Sequence, residues 1–282
     1  MFPHPCFDET AHEYIGRVHL PVAPLCNIQC AFCERRVCVN ITEQHPGWAR
    51  KLLSPMQALE LVDRLVLDNA KQLTNPVAQP QFVVGVAGPG EPLANKETFE
   101  ALALVHEKYP FLRKCISTNG LLLEKYLPRL LDVGISSLTV TVNAPDGIVG
   151  SQVYLWVREH GTILRGIEAA EFLIQRQMQG IKAALTAGLM LKVNTVLVPG
   201  VNDMHVIRLA QLLNEMGVRL MNIMPLIPGG ALRNARPPTC RELQDARMTC
   251  EEWVPQFRAC EQCSADVIRM PNIKTTDIPA SP

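Results

Sequence analysis

Three cysteines stand close together in Cys26-Asn27-Ile28-Gln29-Cys30-Ala31-Phe32-Cys33. The spacing C-x3-C-x2-C places three soft thiolate donors on one short loop. They can wrap three corners of an iron–sulfur cube and leave its fourth iron open. An open coordination position is what separates a reactive metal site from a structural one. Two blander readings fit the same spacing. Structural zinc takes four closed ligands, and Cys260-Glu261-Gln262-Cys263 offers a second pair. Free cysteine is also among the most buried residue types.

The chain has ten cysteines in 282 residues. Beyond the triplet and the Cys260/Cys263 pair they are Cys6, Cys38, Cys115, Cys240 and Cys250. A secreted disulfide scaffold would be smaller and would carry an export signal. Met1-Phe2-Pro3-His4-Pro5-Cys6 has neither the basic nor the apolar region of one. The expected location is the cytoplasm, where clustered thiols mean metal ligation or catalysis. Charges balance at 27 against 27, which gives no electrostatic case for nucleic acid or a membrane surface. No apolar run reaches the roughly 18 residues of a spanning helix. Hydrophobic residues make up 48% of the chain, ample for one large core.

The elements that must position these cysteines alternate strand and helix. Val18 to Pro24 reads as a strand running into the cysteine loop. Ser54-Pro55 starts a helix to about Asn69, with Ser as cap and Pro at the first position. Gln72 to Gln81 reads as a loop. Strands follow at Phe82 to Val86, Lys114 to Ser117, Ser137 to Val142, Met190 to Val198 and Leu220 to Leu226. Helices are expected at Lys96 to Lys108, Leu122 to Val133, Leu164 to Ala187, Met204 to Met216 and Cys240 to about Arg258. Pro145 to Gly150 and Pro228 to Pro238 read as loops. Strict alternation implies parallel strands with right-handed crossovers. The expected fold class is therefore α/β, a partial (β/α)6 TIM-like barrel. An N-terminal arm would occupy residues 1–20, the barrel 21–235 and a C-terminal extension 236–282.

In such barrels the site lies at the C-terminal ends of the strands. The glycine loop Ala87-Gly88-Pro89-Gly90-Glu91 ends the second strand and Ser117-Thr118-Asn119-Gly120 the third. Asn143 follows the fourth strand, Asn194 lies in the fifth and Met224 in the sixth.

The triplet with Phe32 before its last cysteine resembles the signature of the radical S-adenosylmethionine (SAM) superfamily. The glycine loop resembles that superfamily's Gly-Gly-Glu segment. The longer pattern resembles the NifB family: His4-Pro5-Cys6, Val22-Ala23-Pro24-Leu25-Cys26-Asn27-Ile28-Gln29-Cys30, Ala87-Gly88-Pro89-Gly90, Pro92-Leu93-Ala94-Asn95, Ser117-Thr118-Asn119-Gly120-Leu121, Tyr154 to Arg158, Lys192-Val193-Asn194-Thr195-Val196-Leu197, Asn222 to Pro228 and Cys260 to Asp266. The likeness covers about residues 3 to 268.

The resemblance implies a radical SAM type of barrel with cluster-binding extensions at both ends. It implies a maturase that fuses two 4Fe–4S clusters, with a SAM-derived carbide and an added sulfur, into an 8Fe–9S–C precursor of the nitrogenase cofactor. One SAM would donate a methyl group and a second would yield a 5′-deoxyadenosyl radical. Cys26, Cys30 and Cys33 would hold the radical SAM cluster, with Phe32 beside the adenine. Gly88, Gly90, Glu91, Asn119, Thr141, Asn194 and Val196 would contact SAM. Cys6, Cys38, Cys115, Cys260 and Cys263 would hold two further 4Fe–4S substrate clusters. In this scheme Cys6 and Cys115 share one cluster and the Cys260/Cys263 pair holds the other. Expected partners are a cluster donor, a cofactor carrier and a reductant such as ferredoxin or flavodoxin. Cys240 and Cys250 match no motif and read as buried.

The chain departs from the family pattern in several places. The family's upstream histidine would precede Met1, leaving His4, His12 or His19 as substitutes. The Glu-Ser-Arg-Pro element reads Glu43-Gln44-His45-Pro46, which keeps Glu43 as a catalytic acid–base candidate. Cys33 to Cys38 is one residue shorter than the family pattern, and Glu91 stands where the family usually has Asp. Leu73 to Gln79 reads as an inserted surface loop, and no carrier-type C-terminal domain is expected. Two alternatives stay open. One is a divergent radical SAM enzyme whose auxiliary clusters serve another substrate, and the other is a non-catalytic iron–sulfur carrier.

Overall fold

The computed structural model describes residues 2–71 and 81–271. The Gln72 to Gln81 loop (all but its last residue) and the Leu73 to Gln79 insertion lie outside them. After a short helix α1 (Ala11–Tyr14) the chain enters strand β1 (Gly16–His19). This strand ends sooner than the apolar text suggests. Pro21 and Pro24 have no N–H to give a ladder, so the regular strand ends after Leu20 donates to the Gly85 carbonyl at 2.8 Å, and pairing resumes only as a single bridge between Ala23 and Pro89. The cysteine loop follows and contains β2 (Ile28–Cys30). A two-stranded ribbon, β3 (Arg36–Val37) and β4 (Trp48–Ala49), leads to α2 (Pro55–Ala70). Ser54 caps α2 through a capping box with Gln57, with Pro55 at the first position. Such a cap contributes about 1 kcal/mol.

From there the alternation runs as expected: β5 (Phe82–Val86), α3 (Lys96–Lys108), β6 (Arg113–Thr118), α4 (Leu123–Asp132) and β7 (Ile135–Thr141). Helix α5 (Gly147–Val153) then occupies most of the segment read as a loop. Asp146 caps it by accepting from Val149 N–H at 3.0 Å, so the Asp-Gly pair starts a helix here rather than a turn. Strands β8 (Tyr154–Glu159) and β9 (Thr162–Leu164) come next, and α6 (Gly166–Thr186) begins after them. The series closes with β10 (Met190–Leu197), α7 (Val206–Glu215), β11 (Met221–Pro225), α8 (Cys240–Glu251) and β12 (Ile268–Arg269). Helix α8 stops short of Arg258, because Trp253 to Phe257 returns to the sheet edge, where Phe257 N–H bonds the Met221 carbonyl at 2.7 Å.

The main sheet has seven strands in the order β11-β10-β7-β6-β5-β1-β12. Neighbours from β1 through β11 are parallel, and β12 adds to the β1 edge antiparallel. The six parallel strands follow chain order across the sheet, which makes the curled (β/α)6 half-barrel that the alternation predicts. Its covered face is apolar: Val84, Val86, Leu102, Leu138, Val140, Val193 and Ile223 are buried in one continuous core. Each such side chain contributes about 1.5–3 kcal/mol on burial. Among the described residues no helix is long and apolar enough to cross a membrane.

A separate three-stranded sheet, β2-β8-β9, stands at the strand-end face of the half-barrel. It pairs Ile28 with Val157, Gln29 with Trp156 and Cys30 with Tyr154, with a register shift between Gln29 and Cys30. The cysteine loop is thus held by a strand that comes more than a hundred residues later in the sequence.

Candidate active site

The cysteine loop is fixed on three sides. Ala31 N–H donates to the Val153 carbonyl at 2.7 Å, and Arg158 N–H to the Asn27 carbonyl at 2.8 Å. The Gln29 amide donates to the carbonyls of Cys30 (3.0 Å) and Cys33 (2.9 Å), and Arg35 in turn holds the Gln29 side chain at 2.8 Å. On the third side the Gly229-Gly230 turn lies against the loop backbone. A Cβ on Gly230 would fall 2.8 Å from the Ala31 carbonyl oxygen. The Cys26, Cys30 and Cys33 thiols are half-buried and line one cavity of about 300 Å³ with Phe32 between them. Burial pushes the Cys26 thiol up to about 11, reinforced by the nearby Glu91 and Cys33. Burial and the two neighbouring thiols push Cys30 further up, and burial raises Cys33 against the opposing pull of Arg35. Metal ligation displaces these protons, because the thiolate is the ligand.

The glycine loop docks directly on this one. Gly90 N–H donates to the Ala23 carbonyl at 2.6 Å, and Glu91 N–H to the Leu25 carbonyl at 2.8 Å. A Cβ on Gly90 would sit 2.2 Å from the Leu25 oxygen, so only glycine permits the approach. Gly88, with φ +133°, turns the loop without lining the cavity. Glu91 is buried. Its carboxylate accepts from Thr118 Oγ1, from Leu93 N–H at 3.1 Å and from Asn119 N–H at 2.7 Å. Burial lifts it to about 7, against those three donors. Its side chain ties the second strand end to the third.

The remaining strand ends are joined by amides. The Asn119 amide donates to Asn27 Oδ1 at 2.7 Å and so links the third strand end to the cysteine loop. Gln177 of α6 donates to the carbonyls of Asn119 (2.8 Å) and Thr141 (2.9 Å). Asn143 accepts from Val196 N–H at 2.9 Å, and Asn222 donates to Asn194 Oδ1 at 3.1 Å. Asn119, Thr141, Asn194 and Val196 all line the cavity. Gln177 has no place in the motifs of the sequence, and Tyr154 lies in a matched segment without an assigned site role; its hydroxyl accepts from Asn143 N–H at 2.9 Å. One signal was available: Gln177 is a polar residue on the apolar face of a long helix. Asn143 Nδ2 is buried with no partner among the described residues. It offers a donor at the cavity wall.

A second set of thiols faces the same cavity. Cys6, Cys115, Cys260 and Cys263 line it and are half-buried. Cys115 lies in β6 opposite Gly85 of β5. Burial, then the neighbouring Cys6 thiol, pushes Cys115 far up. The segment carrying Cys260 and Cys263 is laced to the ribbon: Ser264 Oγ accepts from His45 N–H at 2.9 Å, and Ala265 N–H donates to the Trp48 carbonyl at 2.8 Å. Arg17 reaches Cys263 Sγ at 3.5 Å. Of the three substitute histidines, His4 and His19 line the cavity. His19 Nδ1 donates to the Ser264 carbonyl at 3.0 Å, and burial lowers the ring to about 4. His12 is engaged with the Pro5 carbonyl at 2.7 Å and lies outside the lining.

Two candidates lie elsewhere. Cys38 sits beside the ribbon, its N–H on the Ala49 carbonyl at 3.1 Å, and does not line the cavity. Glu43 is exposed and outside the lining. Cys250 is buried in the core as expected, whereas Cys240 is exposed at the start of α8, where Thr239 caps the helix in solvent.

Among the described residues no three His, Cys, Asp or Glu side chains converge on a point suited to one metal ion. Three thiols spread along one loop suit the separate corners of a cubane better than one closed zinc. The donor set therefore fits a three-cysteine iron–sulfur cluster. Beside it lie a glycine-rich backbone and one free amide donor, Asn143 Nδ2, that suit a small polar cosubstrate.

The radical SAM superfamily model matches residues 20–213. The chain is 46% identical over 265 residues to the FeMo cofactor biosynthesis protein NifB of Methanocaldococcus jannaschii, covering 94% of this chain and 85% of that one. It is 41% identical to the protein of that name from Klebsiella pneumoniae, covering 95% of this chain and 56% of the relative. Its fold is similar to that of a radical SAM methyltransferase from Sphaerobacter thermophilus, with TM-score 0.55 at 17% identity, covering 86% of this chain and 64% of that one.

Proposed function

Because this chain belongs to the NifB family of radical SAM enzymes, whose role is nitrogenase cofactor biosynthesis, we propose that it fuses two 4Fe–4S clusters into one. The product would be an 8Fe–9S–C cluster, with the carbide taken from a SAM methyl group and one sulfur added. The observation that supports this reading is that two sets of thiols share one cavity. Cys26, Cys30 and Cys33 stand on the loop, and Cys6, Cys115, Cys260 and Cys263 stand on other elements. Auxiliary clusters serving an organic substrate would use a second set as well, and it is the family membership that favours clusters as the substrate.

Cys26, Cys30 and Cys33 would hold the radical SAM cluster, which when bound supplies the electron for reductive cleavage of SAM. Phe32 gives the adenine an apolar wall, and the Gly90 backbone and Asn143 Nδ2 orient the polar end of SAM. Cys6 and Cys115 would take one substrate cluster, and Cys260 and Cys263 the other. With two protein thiolates each, the substrates are held yet stay free to fuse and leave. Proteins that donate clusters, carry the product and supply electrons are part of the same proposal. Cys38 and Glu43 lie outside the cavity lining and take no part in this scheme.

Two variants test the division of labour. Cys30→Ala is expected to abolish SAM cleavage, because a cluster on three thiolates cannot lose one and stay intact. Cys263→Ala is expected to keep cleaving SAM but to hold about four fewer irons and form no carbide-containing product. Normal product from Cys263→Ala would remove the substrate-cluster role. It would leave a radical SAM enzyme with another substrate.

A further inference from the structure

Four long cations, Arg17, Arg113, Lys114 and Lys192, are buried among the described residues, and of these Lys192 alone lines the cavity. Arg17 is 1% exposed, and its guanidinium pairs with Glu261 at 2.6 Å. Lys192, in β10, is 2% exposed, and no carboxylate of the described residues lies within 4 Å of it. Its ammonium donates to the Cys6 carbonyl at 2.6 Å and stands 4.5 Å and 5.3 Å from the Phe257 and Phe7 ring centres. The same side chain lines the cavity.

An ammonium held away from water needs an anion, because a carbonyl and two ring faces offset only part of the lost hydration. The described residues provide no such anion, and the side chain lines the cavity. The charge bears on His4, Cys6 and Cys115. It does not figure among the influences on Cys26, Cys30 or Cys33. The bond to the Cys6 carbonyl places the Lys192 ammonium on the Cys6 side of the cavity. Each thiolate that ligates a cluster adds one negative charge there, and so does each electron the cluster takes up.

We propose that Lys192 is a positioning residue that balances the charge of an anionic iron–sulfur cluster seated on Cys6 and Cys115, while its bond to the Cys6 carbonyl fixes that ligand's main chain. This rests on the reading that the cavity takes cluster substrates. The site selects for thiolate-ligated, reduced clusters over neutral ligands of the same size.

The test uses the full chain, loaded anaerobically with iron and sulfide, as wild type, Lys192→Met and Lys192→Gln. Iron per chain and an EPR-monitored redox titration are the readouts. Met removes the charge and the donor, and Gln removes the charge but keeps an N–H donor. Both variants are expected to bind the Cys6/Cys115 cluster at least about ten-fold more weakly, or to hold it at a lower midpoint potential. Removing a nearby positive charge disfavours the added electron. A Met or Gln variant with wild-type iron and an unshifted potential overturns the proposal and leaves Lys192 as a peg for the N-terminal arm. If the wild type itself takes up only the irons of the radical SAM cluster, the cluster-substrate reading fails first. That failure is visible without any variant.

Discussion

Gly85 and Cys115 stand opposite each other in adjacent parallel strands, and a Cβ on Gly85 would come within 3.1 Å of Cys115 Sγ. The same Cβ would lie 3.1 Å from His19 Cδ2. The glycine is a notch in an otherwise apolar strand, and it keeps space over a thiol that the cavity uses. Gly85→Val, which suits a strand by propensity, is expected to fill the notch. Iron bound beyond the radical SAM cluster should fall by half or more, measured by iron analysis after anaerobic reconstitution. Unchanged iron would mean that Cys115 does not ligate.

The second close approach joins the two loops that build the SAM side. Gly90→Ala puts a methyl group where the Leu25 carbonyl already stands, and backbone cannot yield as a side-chain tip can. The expected cost is about 1–3 kcal/mol in urea unfolding. SAM binding in equilibrium dialysis should weaken by at least about ten-fold, because the glycine loop can no longer seat on Ala23 and Leu25.

Glu91 gives the metal-free protein a pH signature. Its folded-state value of about 7 lies above that of an unfolded glutamate, and burial is the main cause. The folded state therefore holds a proton that the unfolded state has lost, and Glu91's contribution to stability declines as pH rises from about 4.5 to about 7. The slope is at most about 1.4 kcal/mol per pH unit, and it levels off above 7. Urea midpoints of wild type and Glu91→Gln across that range check this. The wild type should lose ground to the variant until pH 7 and not beyond. A difference between the two that stays flat with pH would contradict it.

Much of this was legible in the sequence, and the exceptions have physical causes. The strand–helix alternation could be read because strands such as β5 are buried on both faces and appear as short apolar runs, although β1 and β6 carry charged residues. The β2-β8-β9 sheet could not. Tyr154 to Glu159 runs four apolar residues and then two charged ones with no period-two alternation, and its partner β2 has three residues inside the cysteine motif. The thiols could be named, but which of them face one cavity is a tertiary matter. Cys260 and Cys263 reach it because Ser264 and Ala265 are bonded to the ribbon segment, while Cys38, beside that ribbon, does not line it. Lys192 and Gln177 carry only a weak signal in the sequence. Each is a polar side chain in an apolar pattern, and its purpose shows only when the groups across the strand ends are in place.

The most direct test of the account follows the methyl carbon. The full chain is reconstituted anaerobically, counted for iron, and reacted with dithionite and SAM labelled in its methyl group. The account predicts about twelve irons per chain, as three 4Fe–4S clusters require. It also predicts both 5′-deoxyadenosine and S-adenosylhomocysteine among the products, with the label retained in the metal cluster after the protein is denatured. About four irons, with 5′-deoxyadenosine alone and no label in the cluster, would contradict it.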